Sequence, residues 1–304
     1  MLVTSRDGVV LEHYAGFADR SDGTPCGPST RFQIASVSKQ FAAACVLLLA
    51  EQGRLSIEDP IGRWFGGGPP SWDSVSLHHL LTHTSGLGHF PDYGFDLHEP
   101  VDDEAFVHRL QERPLPDEVP SAWYYSSPAY GLLARVVERA SEVPYKEFLR
   151  RHIFERLAMH DTFAGDGDGR RSRAVGYTDD QPVPSMELDT LSMGAGDIWS
   201  TVRDIDSWNV GVLSEQLLSL DSRERMFTSY ASIEGFPIPA GYGYGWMIAT
   251  LQDRVLYAHS GDNVGYTALN IVVPDDLFRI VILTNEHPAD LMPLATSLLS
   301  QSLE

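Results

Sequence analysis

The chain has 304 residues, 43% of them hydrophobic and 10% aromatic, enough to bury one large core or two lobes around a cleft in the manner of an ordinary globular protein. A formal charge of −20 argues against a nucleic-acid or anionic-membrane surface, where phosphate neutralisation by cations dominates binding. Two cysteines, Cys26 and Cys45, make no disulfide framework, and the longest apolar run, Phe41 to Ala50, is about half of the ~20 residues a membrane span needs.

The start, MLVTSRDGVVLEHY, has no basic segment leading into an apolar run. No signal peptide is read there, so the cytoplasm is the expected compartment; a mature form whose targeting segment was removed would read the same. Arg6-Asp7-Gly8 reads as a hairpin turn followed by a strand with Val9, Leu11 and Tyr14, and Asp22-Gly23-Thr24-Pro25 as a second turn. Thr30 to Gly53 reads as a strand end, a tight turn and a long helix. Val37, Phe41, Ala44, Cys45 and Leu48 recur at helical spacing, and the middle of the helix is apolar on almost every side, which places it inside the fold.

Ser36 and Lys39 stand three residues apart at the start of that helix, so their side chains leave from one face. An amine there can take the serine's proton, and the helix dipole favours the negative charge that develops in acyl transfer. A capping serine beside a solvated lysine is the plainer reading of so short a pattern. Composition sharpens the choice: of 22 Lys and Arg residues, lysine stands only at Lys39 and Lys146. A lysine in a chain that otherwise uses arginine points to a task that needs a deprotonatable amine.

Further on, Leu77 to Leu81 is a short helical piece ending in His83-Thr84-Ser85-Gly86-Leu87, with His83 read as structural, buried and hydrogen-bonded. Residues 91–120 are acidic, proline-bearing and irregular apart from a helix at Asp102 to Arg113, the kind of segment that rims a cleft. Helices follow at Pro128 to Ser141 and Tyr145 to Leu157. Gly165 to Arg171 reads as a flexible connection, in which Asp166 and Asp168 fit a plain loop better than a calcium loop. Ser200 to Asp204 opens a helix running through Trp208. Tyr242 to Leu251, Val255 to His259, Tyr266 to Val273 and Arg279 to Asn285 read as consecutive antiparallel strands, with a closing helix at Asp290 to Leu303. The expected fold class is α+β: an antiparallel sheet flanked by helices, with an all-helical lobe inserted. One unit, 1–304, is expected, with an α/β lobe at about 1–60 and 205–304 and a helical lobe at about 61–204.

Three further stretches line up with Ser36-Val37-Ser38-Lys39: His83-Thr84-Ser85-Gly86-Leu87, Tyr125-Ser126-Ser127 and His259-Ser260-Gly261 followed by Asp262. In that order and at these separations the chain resembles the serine beta-lactamase-like hydrolases, which include class C beta-lactamases, D,D-peptidases, D-aminopeptidases and related esterases. The similarity runs over nearly the whole chain. It implies the beta-lactamase/transpeptidase-like fold, with Ser36 as the acylated nucleophile and Lys39 as the group that eases its deprotonation, its pKa depressed by burial and by any neighbouring positive charge. Tyr125 would be the partner acid/base across the cleft. His259, where many relatives carry lysine, would position substrate or help hold Tyr125. The oxyanion hole would come from the backbone N–H groups of Ser36 and Asp262, with Ser127, Ser260 and Gly261 completing the substrate side. Relatives usually have asparagine where Ser127 stands, and a shorter hydroxyl lacks the paired amide donor and acceptor. That favours an ester or small amide over efficient beta-lactam turnover.

The expected function is therefore a serine hydrolase working through an acyl-enzyme on Ser36, of esterase or D-peptidase type. Its substrate would be a small molecule or peptide-like, with no cofactor, no metal, no nucleic-acid partner and no membrane span. Taken alone, Tyr125-Ser126-Ser127 reads as a helix cap and His259-Ser260-Gly261 as a strand end; their joint order is what carries the assignment. Two alternatives come from other classes. A catalytically idle, penicillin-binding-like protein would use the same cleft for ligand binding. A metal-dependent hydrolase would draw on His78, His79, His83 and His89, but no His-Glu-x-x-His is present.

Overall fold

The computed structural model describes residues 1–96, 101–115, 119–120, 122–165, 173–184, 189–235 and 238–302. The connection read at Gly165 to Arg171, with Asp166 and Asp168, lies outside the described residues from 166 onward.

An eight-stranded antiparallel sheet organises the chain. Its strands are β1 (Leu2–Ser5), β2 (Gly8–Glu12), β3 (Ala231–Ser232), β4 (Ala240–Tyr242), β5 (Met247–Leu251), β6 (Arg254–Asn263), β7 (Tyr266–Val273) and β8 (Phe278–Thr284), in the spatial order β3-β4-β5-β6-β7-β8-β1-β2. Every residue of β7 is buried, because both faces of the sheet are covered. The period-two alternation of side chains divides the strands cleanly between two cores. On β8, Val281 and Leu283 join the larger core while Ile280 and Ile282 join the smaller; on β1, Leu2 and Val3 divide the same way. Pairing of Leu2 with Val281 and of Val273 with Phe278 fixes the register. The smaller core is closed by helix α4 (Met292–Ser302) through Ala295 and Leu299.

The larger core is built on helices α1 (Ser38–Glu51), α2 (Ser127–Ser141) and α3 (Val202–Leu213). Helix α1 is buried from Ser38 through Leu49, as its unbroken apolar run requires. Phe41 stacks on Trp208 of α3 with ring centroids 4.1 Å apart. Helix α2 starts where the sequence places its cap: the Ser126 side chain accepts from Ala129 N, and Pro128 occupies the first turn. Among the described residues, no helix is long and apolar enough to cross a membrane.

Four local expectations change. Ser36 sits on a separate 3₁₀ turn, Ala35–Val37, ahead of α1, with Ala35 in the left-handed region at φ 47°. The single strand expected over Tyr242 to Leu251 is a hairpin, β4 and β5, because Gly245 at φ 78° turns the chain against α1. A Cβ at Gly245 would lie 2.8 Å from the Lys39 carbonyl oxygen, an approach only glycine allows. The helix expected to run to Leu157 is α-helical over Tyr145–Leu149 and then widens into a π-helical turn, Arg150–Phe154. The insert read as all-helical also carries strands. Phe163–Ala164 and Ile198–Ser200 form a three-stranded sheet with Phe32–Gln33, and Gly176–Thr178 pairs with Gln181–Val183. The apolar Ile198-Trp199 pair is buried there, and the Ile198 carbonyl accepts from Ile34 N at 2.9 Å, tying the insert to the turn that carries Ser36.

Candidate active site

Lys39 is fully buried beneath Ser36, and three groups surround its Nζ. Ser36 Oγ lies at 3.0 Å, Ser127 Oγ at 3.2 Å and the Ala195 carbonyl oxygen at 2.8 Å. A carbonyl oxygen only accepts, so one N–H goes to Ala195. A neutral amine that gives a second N–H to Ser127 has its lone pair left for the Ser36 hydroxyl proton. Burial is the main reason the amine can be neutral. It lowers the Lys39 pKa to about 7, against the upward pull of the buried Asp197 carboxylate. The neighbouring charge is thus negative, and burial does the lowering.

Tyr125 lies over this pair. Lys39 Nζ is 4.9 Å from its ring centroid, and the Ser36 side chain is among the groups that act on the phenol's proton affinity. Desolvation pushes the phenol's pKa up, further helped by Asp262 and opposed by the Ser36 side chain, so the group rests protonated at neutral pH. Ser127, at the start of α2, reaches Lys39 with its hydroxyl despite being shorter than asparagine.

The facing wall is β6. Gly261 lets this strand close on the Ser36 turn: a Cβ there would stand 2.3 Å from the Ile34 carbonyl oxygen and 3.1 Å from Ser36 N. His259 is buried with both ring nitrogens engaged. Nδ1 is 2.6 Å from the Ser260 carbonyl oxygen and must donate to it, which leaves Nε2 to accept from the Tyr242 hydroxyl at 2.9 Å. Burial first, and the Lys39 charge second, lower its pKa to about 3, so the ring is neutral. Its hydrogen bonds go to Tyr242 and to its own strand, while its ring centroid lies 6.1 Å from that of Tyr125.

Ser36, Tyr125, Ser127, His259, Ser260 and Asp262 all line one cleft of about 460 Å³, with Lys39 at its floor and Gly261 behind its wall. Phe90, Trp123, Leu191, Met247 and Val264 make much of the remaining wall, with His89 and His287 at hand. Sequence reasoning missed the Ala195 carbonyl, which is main chain and has no side-chain signature, and Tyr242, the partner of His259. The histidines of the metal reading are engaged otherwise: His79 Nδ1 accepts from Ser76 N, His78 Nδ1 meets the Tyr244 hydroxyl, and His83 Nδ1 accepts from Ser126 N. Among the described residues, no three or more His, Cys, Asp or Glu side chains are grouped to hold a metal ion.

Comparison with known proteins shows what the chain as a whole is similar to. The family model described as Beta-lactamase matches residues 1–301. A penicillin-binding protein of Bacillus subtilis (strain 168) is 29% identical, over 94% of this chain and 68% of its own length. Esterase EstB of Burkholderia gladioli is 35% identical, over 63% of this chain and 53% of its own. The octameric penicillin-binding protein homologue from Pyrococcus abyssi superposes with a TM-score of 0.90 at 26% identity, covering 99% of this chain and 72% of that one.

Proposed function

The chain belongs to the beta-lactamase family and is a hydrolase of the serine type, and from that premise we propose that it cleaves esters or small amides through an acyl-enzyme on Ser36. The observation that carries the proposal is a buried lysine amine, its pKa lowered by burial to about 7, 3.0 Å from a serine hydroxyl at the mouth of a cleft. Ser36 Oγ attacks the carbonyl carbon while its proton passes to Lys39, with Tyr125 beside the same hydroxyl. The backbone N–H groups of Ser36 and Asp262 take the oxyanion. Tyr125 donates the proton the leaving group needs, the C–O or C–N bond breaks, and water then releases the acid from Ser36 by the reverse proton path.

Two features support an ester or small neutral amide. The walls at Phe90, Trp123, Leu191 and Met247 are apolar, and the charge set into the rim by Asp262 is negative, so a substrate carboxylate is repelled there. The names of the relatives, an esterase and a penicillin-binding protein, bracket the same range.

Intact-protein mass spectrometry after treatment with a fluorophosphonate and, separately, a penicillin tests the proposal. A single adduct mapped to Ser36 by the fluorophosphonate is expected, with slower or no labelling by penicillin. No adduct from either reagent would leave an idle ligand-binding protein.

The pH profile of kcat/KM is a second test. Lys39 works with its lone pair, so the active fraction is the unprotonated one. Turnover of p-nitrophenyl acetate is expected to rise to half its plateau near pH 7, the value set by burial, and to fall about tenfold per pH unit below that. A rate that stays flat well into acid would remove Lys39 from the proton path.

A further inference from the structure

Tyr125 does not stand on a helix or strand; it belongs to the irregular stretch that precedes α2. Something other than regular secondary structure must therefore fix its phenol over Ser36. Both amides that flank it end on one residue. Tyr124 N donates to the His83 carbonyl oxygen at 2.9 Å, and Ser126 N donates to His83 Nδ1 at 3.1 Å. The His83 ring also lies against the Tyr125 ring, with centroids 4.6 Å apart, and against Tyr242, the hydroxyl partner of His259, at 4.7 Å.

Two costs are concentrated on this histidine. Its backbone is left-handed, at φ 59°, where a residue bearing a Cβ is strained. Because Nδ1 accepts from an amide, the ring proton must sit on Nε2, and that fully buried N–H has no hydrogen-bond partner among the described residues. A leucine would fill the same volume without an orphaned donor. A left-handed backbone and an unpaired buried donor are worth keeping together where the other ring nitrogen and the carbonyl do something an aliphatic side chain does not.

We propose that His83 is the positioning residue for Tyr125: its carbonyl and Nδ1 clamp the amides on either side of the tyrosine while its ring face sets the tilt of the phenol. This rests on Tyr125 acting as proposed above. His83 touches neither Ser36 nor the substrate cleft; it acts by holding the phenol in register with the Ser36 hydroxyl, where a displacement of the order of 1 Å changes rates about a hundredfold.

The test is a set of variants assayed on p-nitrophenyl acetate. His83→Ala is expected to lower kcat at least tenfold with KM changed less than about threefold, because positioning of a proton-transfer group is lost and the cleft walls stay. In a Tyr125→Phe background the same substitution is expected to have little further effect, since the hydroxyl it positions is already absent. His83→Asn offers an amide oxygen close to where Nδ1 stands and tolerates left-handed backbone, so it is expected to recover most of the activity. Full kcat in His83→Ala, independent multiplication of the two losses in the double variant, or an asparagine variant as impaired as alanine would each overturn the proposal. If the alanine variant does not fold, the asparagine variant decides alone: folded with near wild-type kcat it supports the clamp, and folded with kcat reduced tenfold or more it rejects it. A Tyr125→Phe enzyme of undiminished activity would instead reject the role of Tyr125 itself, so the two failures are told apart.

Discussion

Ser36→Ala is expected to lower ester hydrolysis by on the order of 10⁴-fold or more, leaving only what the oxyanion donors and the cleft contribute without a nucleophile. The substitution removes one hydroxyl from the mouth of the cleft, and Lys39 keeps its bonds to the Ala195 carbonyl and Ser127, so a folded protein with a melting temperature within a few degrees of the parent is expected. Activity and stability should therefore separate. The measurement is the hydrolysis rate together with fluorophosphonate labelling of the same sample. Ser127, Ser192 and Ser260 line the same cleft, and Ser127 Oγ is itself 3.2 Å from the lysine amine. What distinguishes Ser36 is its place on the turn ahead of α1, with its amide beside the Gly261 strand, so that the proposed nucleophile and one proposed oxyanion donor belong to one residue. Retained activity, or an adduct that moves to Ser127 in the variant and supports turnover, would overturn the assignment.

The part of this site that could be read in the sequence is the part set by local geometry. Ser36 and Lys39 are neighbours because three residues make about one turn, and the scarcity of lysine marks the second of them. Ser127 begins, and Tyr125 just precedes, a helix whose cap, Ser126, and first-turn Pro128 are visible as residue types, while the joint order of the motifs is what marks the two as site residues. Strand alternation on β7 and β8 likewise reads directly, because each residue's face follows from its parity. What could not be read depends on chain segments meeting across long separations. The Ala195 carbonyl reaches Lys39 across 156 residues, and nothing in an alanine announces a main-chain acceptor. Gly245 breaks an otherwise continuous β pattern only because α1 passes within contact of it. The two-residue strands Phe32–Gln33 and Phe163–Ala164 are too short to show any period, and they exist because Ile198–Ser200 lies between them. The role of His259 was read from its place in a motif; its bonds to Tyr242 and Ser260 follow from strand pairing and the side-chain rotamer.

Tyr125→Phe is the second large effect, expected at about 10²- to 10⁴-fold, the range for loss of one positioned acid/base group. The loss should depend on the leaving group. A p-nitrophenolate departs without needing a proton, so with that ester the variant loses only the help Tyr125 gives to the Ser36 hydroxyl. An alkyl ester or a simple amide expels a strongly basic group that must be protonated as its bond breaks, so there the variant loses both functions. The ratio of wild-type to variant rates is therefore expected to be several-fold larger for methyl butyrate than for p-nitrophenyl butyrate, which share an acyl group. Equal ratios on the two esters would confine Tyr125 to the acylation of Ser36 and hand leaving-group protonation to the Lys39 ammonium, which has just received the serine's proton and stands 3.0 Å from the same oxygen. Burial decides between these carriers at rest: it raises the phenol and lowers the amine, so the tyrosine holds its proton while the lysine is free to take one. In the proposed mechanism, two groups with displaced affinities beside one serine hydroxyl give the proton path a fixed direction, from serine to lysine on attack and from tyrosine to the leaving group on collapse.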